Sequence, residues 1–151
     1  MMNKKWIVIV CIIILLAAGL FAFYSSTNQQ KEVKIGEATF QLPNGYHVVD
    51  SDDKNVTNLT NGTNNIYIKE YNTKNIKKLV NSYVNQSESN NKTVKISNFT
   101  VGKTLVYKSN LKNSGTVHYW FVKNNKTYTI YAWNKNPEID SITTKLIESI
   151  S

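Results

Sequence analysis

The chain has 151 residues, 41% of them hydrophobic, which allows one membrane segment and one globular domain with a single core and leaves little room for a second domain. Its 18 basic residues are all lysine, and because lysine lacks the planar fork of arginine, we expect no specific nucleic-acid recognition. The formal net charge of +8 suits either a solvated surface or weak attraction to an anionic envelope polymer or lipid headgroups.

The first predicted element is an uncharged apolar run over residues 6–24. At ~1.5 Å per residue, a helix of this length comes close to crossing the ~30 Å hydrocarbon core of a bilayer. Lys4 and Lys5 precede the run and the next charged residue is Lys31, so the positive-inside bias places the N-terminus in the cytoplasm. The sequence thus predicts a cytoplasmic tail, a transmembrane anchor, a tether and an extracytoplasmic domain, over residues 1–5, 6–24, 25–31 and 32–151.

A cleaved signal peptide is the alternative interpretation of this run. Signal peptides have an apolar core of ~7–15 residues followed by a small-x-small site. The present run is longer, and its small pair at that spacing, Ala17 and Gly19, lies inside it, so we favour a retained anchor. The single cysteine, Cys11, also lies inside the run, and the exported domain therefore has neither a disulfide nor a thiol nucleophile.

Short apolar runs predict the first strands of the exported domain. Residues 33–35 and 38–42 are expected to form a hairpin around a two-residue turn, and residues 66–71 (IYIKEY) alternate as a strand does. Residues 50–65 are rich in Asp, Asn, Thr and Gly, the residues that favour turns, and are predicted to form a loop.

Two amphipathic helices are predicted from apolar residues that recur at helical spacing. The first has Thr73 as its expected N-cap, and the second has Asn136 as N-cap and Pro137 in its first turn. The stripe of the first helix is Ile76, Leu79, Val80, Tyr83 and Val84. The stripe of the second is Ile139, Ile142, Leu146, Ile147 and Ile150.

Three or four further strands are predicted between the helices, with a tight turn at Asn124 and Asn125 between the last two. Both alternating faces of these last two strands are apolar or aromatic, which indicates that a helix covers each face. We therefore predict an α+β domain, a mostly antiparallel β-sheet flanked by two amphipathic helices. The four strands are expected over residues 94–101, 103–109, 116–123 and 126–133.

Residues 38–46 (ATFQLPNGY) resemble the opening of the PsbP-like family, a phenylalanine strand followed by proline, glycine and an aromatic residue. The order of elements and the closing helix at residues 145–150 are similar as well. The resemblance covers residues 33–151 and places the chain near the exported prokaryotic members of the wider fold group of PsbP and the Ran-binding factor. It implies a sheet flanked by helices and a binding or accessory role, and it carries over no functional residue.

Few residues suggest catalysis or metal binding. His47 and His118 are the only side chains that titrate near neutral pH when unperturbed, and they lie on separate predicted strands. Asp50, Asp52 and Asp53 suggest calcium, but their loop lacks the glycine and the later glutamate of an EF-hand. We therefore predict no catalytic, cofactor-binding or metal-binding residues.

A set of aromatic side chains on the predicted strands is the best candidate for a binding site. If their sheet face is open, they form a platform on which sugar or base rings stack, and if a helix covers it, they are core residues. The set is Tyr67, Tyr71, Trp120, Tyr131 and Trp133.

Acceptor sequences for N-glycosylation are dense, although a chain so rich in Asn, Ser and Thr produces several by chance. Their modification depends on a host that has the machinery. The acceptors are Asn55, Asn58, Asn61, Asn85, Asn91, Asn98 and Asn125.

These features predict a non-enzymatic, membrane-anchored extracytoplasmic module that binds a protein partner or an anionic envelope polymer. Two alternatives remain at this stage. One is a hydrolase that acts on envelope material, which a pocket joining a histidine to carboxylates would favour. The other is a structural subunit of a membrane complex, which a large exposed apolar patch would favour.

Overall fold

The computed structural model describes residues 31–112, 114–134 and 136–151. The predicted anchor over residues 6–24 lies outside the described residues. Among the helices within them, none has the length and apolar character needed to cross a membrane. The strands are β1 (Glu32–Ile35), β2 (Ala38–Gln41), β3 (His47–Val49), β4 (Val56–Thr60), β5 (Asn65–Tyr71), β6 (Val94–Val101), β7 (Thr104–Leu111), β8 (Val117–Lys123) and β9 (Lys126–Ala132). The helices are α1 (Ile76–Ser89) and α2 (Pro137–Glu148).

Seven of the strands form one sheet in the order β3-β4-β5-β9-β8-β7-β6. The strands β1 and β2 pair with each other in a separate hairpin. All neighbouring strands are antiparallel. Together with the two helices, this confirms the predicted α+β class.

One face of the sheet, the core face, bears Tyr119 of β8 and Ile130 of β9 and holds the main hydrophobic core. The helix α2 packs on this face with Ile139 and Leu146, which are at most 1% exposed. The hairpin β1–β2 covers the same face, because the ring of its Phe40 lies 5.7 Å from that of Tyr128. This layer contains most of the fully buried apolar side chains in the described part of the chain.

The opposite face, the groove face, bears His118 of β8 and Tyr131 of β9. The helix α1 packs on it, with the ring of Tyr83 4.5 Å from that of His118 and 5.1 Å from that of Trp120. The alternating aromatic pattern of β8 and β9 thus predicted the arrangement correctly, with one helix on each face of the sheet. On the groove face, Trp133 just beyond β9 remains 61% exposed.

Residues 50–65 are not one loop, because they contain β4, which pairs with both β3 and β5. The two apolar residues of β4, Val56 and Leu59, are three positions apart and point to opposite faces of the sheet. The period-2 signal of a strand is therefore missing, although Leu59 is fully buried in the core. The partner strands, rather than the local sequence, determine this element.

The N-cap of the first helix lies two residues after the predicted cap, Thr73. The side chain of Asn75 accepts a hydrogen bond from the backbone N–H of Lys78 at 3.1 Å, so Asn75 is the N-cap. Thr73 accepts from the N–H of Asn75 and closes the preceding turn. The predicted cap of the second helix is confirmed, since the Asn136 side chain accepts from the N–H of Ile139. The predicted turn at Asn124 and Asn125 has positive φ angles of 51° and 60°.

Candidate binding groove

A row of four stacked rings crosses the groove face, and we call it the aromatic row. Tyr67 and Tyr131 are cross-strand partners in β5 and β9, and their ring centroids are 5.1 Å apart with planes 15° apart. His118 of β8 lies opposite Tyr131 on the other side, at 5.1 Å and 12°. Trp120 continues the row at 5.4 Å and 19° from His118. Side chains directly opposite each other on neighbouring strands approach within contact distance, so the register of the sheet aligns the first three rings. Trp120 joins the row because it is two residues along β8 from His118 and points to the same face.

The histidine within the row is held as a neutral ring. Burial between Tyr131 and Trp120, beneath Tyr83, lowers the pKa of His118 to about 4, because the charged form would lose its hydration there. Burial also raises the pKa of Tyr83 and of Tyr131. The row therefore carries no ionised side chain at neutral pH.

Trp133 stands at the end of the row and differs from it in orientation. Its ring is 81° from the plane of Tyr131 at 5.7 Å and 66° from that of Tyr67 at 6.4 Å. Edge-to-face packing of this kind leaves much of the indole free, and 61% of the residue is exposed. Trp133 thus offers a large aromatic surface to solvent beside an already ordered row.

A groove with a volume of about 570 Å³ runs along α1 over the aromatic row. This volume lies within the range of about 300–1,000 Å³ that is typical of small-molecule sites. A second concavity of about 340 Å³ adjoins it and shares Tyr131 and Trp133. Beyond the rings, hydroxyl and amide side chains make up much of the groove wall, namely Ser82, Gln86, Ser87, Asn90, Ser114 and Thr116.

One ion pair lies at the edge of the groove. The Lys69 Nζ is 3.2 Å from a carboxylate oxygen of Asp53 and 5.7 Å from the ring centroid of Tyr71. The carboxylate of Asp53 also accepts a hydrogen bond from the backbone N–H of Asn55, and this bond, with the help of Lys69, holds the pKa of Asp53 below its usual range. Within the described ranges, no three His, Cys, Asp or Glu side chains lie close enough together to hold a metal ion.

Four residues of the predicted aromatic set line the groove and the fifth, Tyr67, lines the smaller concavity beside it, but the five differ in access to solvent. Trp120 is only 3% exposed beneath α1, whereas Trp133 is the most exposed of the set. Tyr67, Tyr71 and Tyr131 are partly buried. His118 and Tyr83 were missing from the predicted set, although alternation along β8 places His118 on the same face as Trp120.

The two histidines are far apart in the sheet. His47 is exposed on β3, at one edge, and three strands separate it from His118 on β8. The shift in the pKa of His118 has burial as its sole cause, without a contribution from a carboxylate. The structure therefore keeps the two histidines apart, and burial rather than a carboxylate sets the pKa of His118.

Two of the seven predicted glycosylation acceptors are partly buried. Asn58 lies in β4 with its side-chain oxygen buried, and it lines the smaller concavity. The side-chain oxygen of Asn61 accepts hydrogen bonds from the backbone N–H groups of Thr63 and Asn64. The exposed acceptors are Asn55, Asn85, Asn91, Asn98 and Asn125.

Comparison with known proteins shows similarity at the level of the fold. No family model and no curated protein matches the sequence. A crystal structure from Bacteroides thetaiotaomicron VPI-5482 aligns with a TM-score of 0.55 and 12% identity, over 82% of this chain and 48% of that one, so the present chain spans about half the length of that protein. The solution structure of cyanobacterial PsbP (CyanoP) from Synechocystis sp. PCC 6803 aligns with a TM-score of 0.49 and 9% identity, over 76% of this chain and 85% of that one.

At these identities the likeness concerns the fold alone. The chain has the sheet flanked by helices that its resemblance to the PsbP-like family implied. Fold does not determine function, so the function has to be derived from the groove itself.

Proposed function

We propose that the protein is a non-enzymatic binding module, held on the extracytoplasmic side of a membrane by residues 6–24, and that the groove along α1 is its binding surface. The observation that carries the proposal is the 61% exposure of Trp133 at the end of the aromatic row. Large aromatic side chains dominate the binding energy of interfaces because they bury much surface and lose little conformational entropy. An exposed indole beside a groove of ligand size supports a binding role.

The electrostatics of the groove also favour binding over acid–base catalysis. A general base needs a pKa near the working pH and a partner that orients it. The pKa of His118 is lowered to about 4, and the groups that contact its ring are the rings of Tyr83, Trp120 and Tyr131. No observation in the described part of the chain favours the hydrolase alternative.

The alternative of a structural subunit would gain support from a contiguous apolar patch. The exposed large hydrophobic residues of the described ranges are Val48, Leu105 and Trp133. Val48 lies on β3 and Leu105 on β7, with four strands between them in the sheet. Single exposed apolar residues on separate strands need no partner to cover them.

Anchoring and export are supported by the sequence pattern. The uncharged run over residues 6–24 has the length of a membrane span, and two lysines precede it. The exported part contains the remaining 16 lysines and 10 acidic residues, which gives it a net charge of +6. The partner is then a protein or a polymer of the cell envelope, reached from a domain tethered close to the membrane.

The test compares the full chain with the variants Trp133→Ala and Leu105→Ala. Leu105 is 49% exposed and does not line the groove, so its variant controls for the loss of an exposed apolar side chain. We expect the wild type and Leu105→Ala to retain material from an extract of the cell envelope, and Trp133→Ala to retain none of it.

A second test concerns the side of the membrane on which the domain lies. Protease added outside intact cells should degrade the domain. Equal retention by all three chains, or a protected domain, contradicts the proposal.

A further inference from the structure

The polar wall of the groove consists largely of uncharged groups. Ser82 and Gln86 contribute from α1, Asn90 from its C-cap, and Ser114 and Thr116 from the residues before β8. Hydroxyl and amide groups both donate and accept hydrogen bonds. A ligand that is itself rich in hydroxyl groups, each a donor and an acceptor, can form hydrogen bonds with these side chains in many alignments.

The charges around Trp133 disfavour an anionic ligand. Asp50, Asp52 and Asp53 line the smaller concavity together with Trp133, and Lys69 is paired with Asp53. A phosphate-bearing polymer or lipid headgroup that stacked on Trp133 would be repelled by the carboxylates of the same concavity, because like charges repel. The groove does contain Lys92, close in sequence to the C-terminal end of α1, but it is not among the residues that surround Trp133 in the smaller concavity.

The orientation of the rings also distinguishes a flat ligand from a caged cation. Aromatic cages for quaternary ammonium groups present several ring faces to one point. Here the faces of Tyr131 and His118 are occupied by their neighbours in the row. The large free surface is the indole of Trp133, which suits one flat ring whose C–H bonds lie against it.

From these three observations we infer that the groove binds a neutral glycan chain, with one sugar ring stacked on the indole of Trp133 and neighbouring sugars hydrogen-bonded to the hydroxyl and amide groups along α1. The inference rests on the proposed binding function and names its ligand class. A row of ordered rings beneath the groove and an uncharged polar wall along it match a ligand that is apolar on its ring faces and polar at its edges.

The experiment titrates the full chain, kept in a detergent without a sugar headgroup, with short neutral oligosaccharides built from glucose, mannose, galactose or N-acetylglucosamine. Calorimetry measures the dissociation constant. We expect one of these probes to bind, Trp133→Ala to weaken it by about tenfold or more, as stacking contacts do, and Leu105→Ala to leave it unchanged. Trp133→Phe keeps a ring and should bind with intermediate affinity, while Gln86→Ala should weaken binding by about threefold. Because the ligand is neutral, added salt should have little effect.

The outcomes separate this inference from the proposed function. If no neutral oligosaccharide binds while retention of envelope material still depends on Trp133, the glycan assignment is wrong and the binding function stands. If neither oligosaccharide binding nor retention of envelope material depends on Trp133, the glycan assignment and the proposed binding function are both wrong. Binding that salt abolishes and Trp133→Ala preserves places the ligand on the lysine surface and overturns the assignment. Should Trp133→Ala fail to fold, as judged by circular dichroism, Trp133→Phe and Gln86→Ala provide the same comparison.

Discussion

His118 links the stability of the domain to pH through its position in the aromatic row. Its pKa is about 4 in the folded protein and 6.5 when unperturbed, so below pH 6.5 the unfolded chain binds a proton that the folded chain does not. The contribution of the neutral His118 ring to the stability of the folded state is fully present above pH 6.5 and is lost as the pH falls towards 4. We expect the free energy of unfolding to fall by about 2 kcal/mol between pH 7 and pH 5, measured by urea denaturation.

The variant His118→Phe tests whether His118 causes this dependence of the free energy of unfolding on pH, because the variant keeps a stacked ring and removes the titrating group. Its stability should be nearly constant between pH 7 and pH 5. Asp53 and Glu70, whose pKa values are lowered in the folded state, lose their contributions only at more acidic pH. A slope of the same size in the variant would show that another group is responsible.

At the scale of single residues, the sequence predicts the face of a side chain better than its exposure. Alternation along β8 and β9 places Trp120, Tyr131 and Trp133 on the same face of the sheet, and the structure places them there. Trp120 is nevertheless 3% exposed and Trp133 61% exposed. The difference in exposure depends on where α1 crosses the sheet. This is a tertiary property that the sequence patterns of the strands and of α1 do not contain.

Gly36 fixes the turn of the β1–β2 hairpin by its small size as well as by its backbone conformation. Its φ is +60°, and a Cβ at this position would overlap the carboxylate of Glu70. That carboxylate accepts hydrogen bonds from the Glu37 N–H at 2.9 Å and from the Tyr128 hydroxyl at 2.6 Å, so it cannot move without losing both. We expect Gly36→Ala to lower the free energy of unfolding by about 3 kcal/mol or more in urea denaturation.

The matched control for this variant is Gly102→Ala. Gly102 has nearly the same backbone conformation, with φ +57°, but no atom lies within 4 Å of the position of its Cβ. The control should lose only about 1–2 kcal/mol, the usual cost of a left-handed conformation for a residue with a side chain. If both variants lose the same amount, the contact with Glu70 is not what restrains the hairpin.

Elements with a complete local signal were predicted, and those that depend on distant partners were not. The helix α2 has its cap, its N-terminal proline and its apolar stripe in one continuous segment, and the cap, the proline and the stripe up to Ile147 occur as predicted, while Ile150 lies beyond the end of the helix. The strand β4 has a mixed sequence, VTNLT, and exists because β3 and β5 pair with it on both sides. Pairing between strands is non-local, so a short strand with few apolar residues leaves little trace in its own sequence.

At the scale of the whole molecule, the helices on the two faces of the sheet differ in the number of residues they bury and in the charges at their ends. The helix α2 buries five residues and bears acidic residues in its first turn and Lys145 in its last, which suits the helix dipole. Its Asp140 accepts a hydrogen bond from the Tyr119 hydroxyl and pairs with the Lys108 Nζ at 2.7 Å. The helix α1 buries only Val80 and Ser87 and has no charged residue that complements its dipole in either terminal turn.

We therefore expect α1 to open before the rest of the domain unfolds. In native-state hydrogen exchange, the amides of α1 should report a free energy of opening below that of global unfolding, and those of α2 should report the global value. Since Ser82 and Gln86 of α1 line the groove, a bound ligand should raise the free energy of opening of α1. It should raise the value reported by α2 by a similar amount, because the globally unfolded chain does not bind the ligand either. Equal protection of the two helices in the free protein would mean that α1 belongs to the same cooperative unit as the core face, and that the groove has a rigid wall.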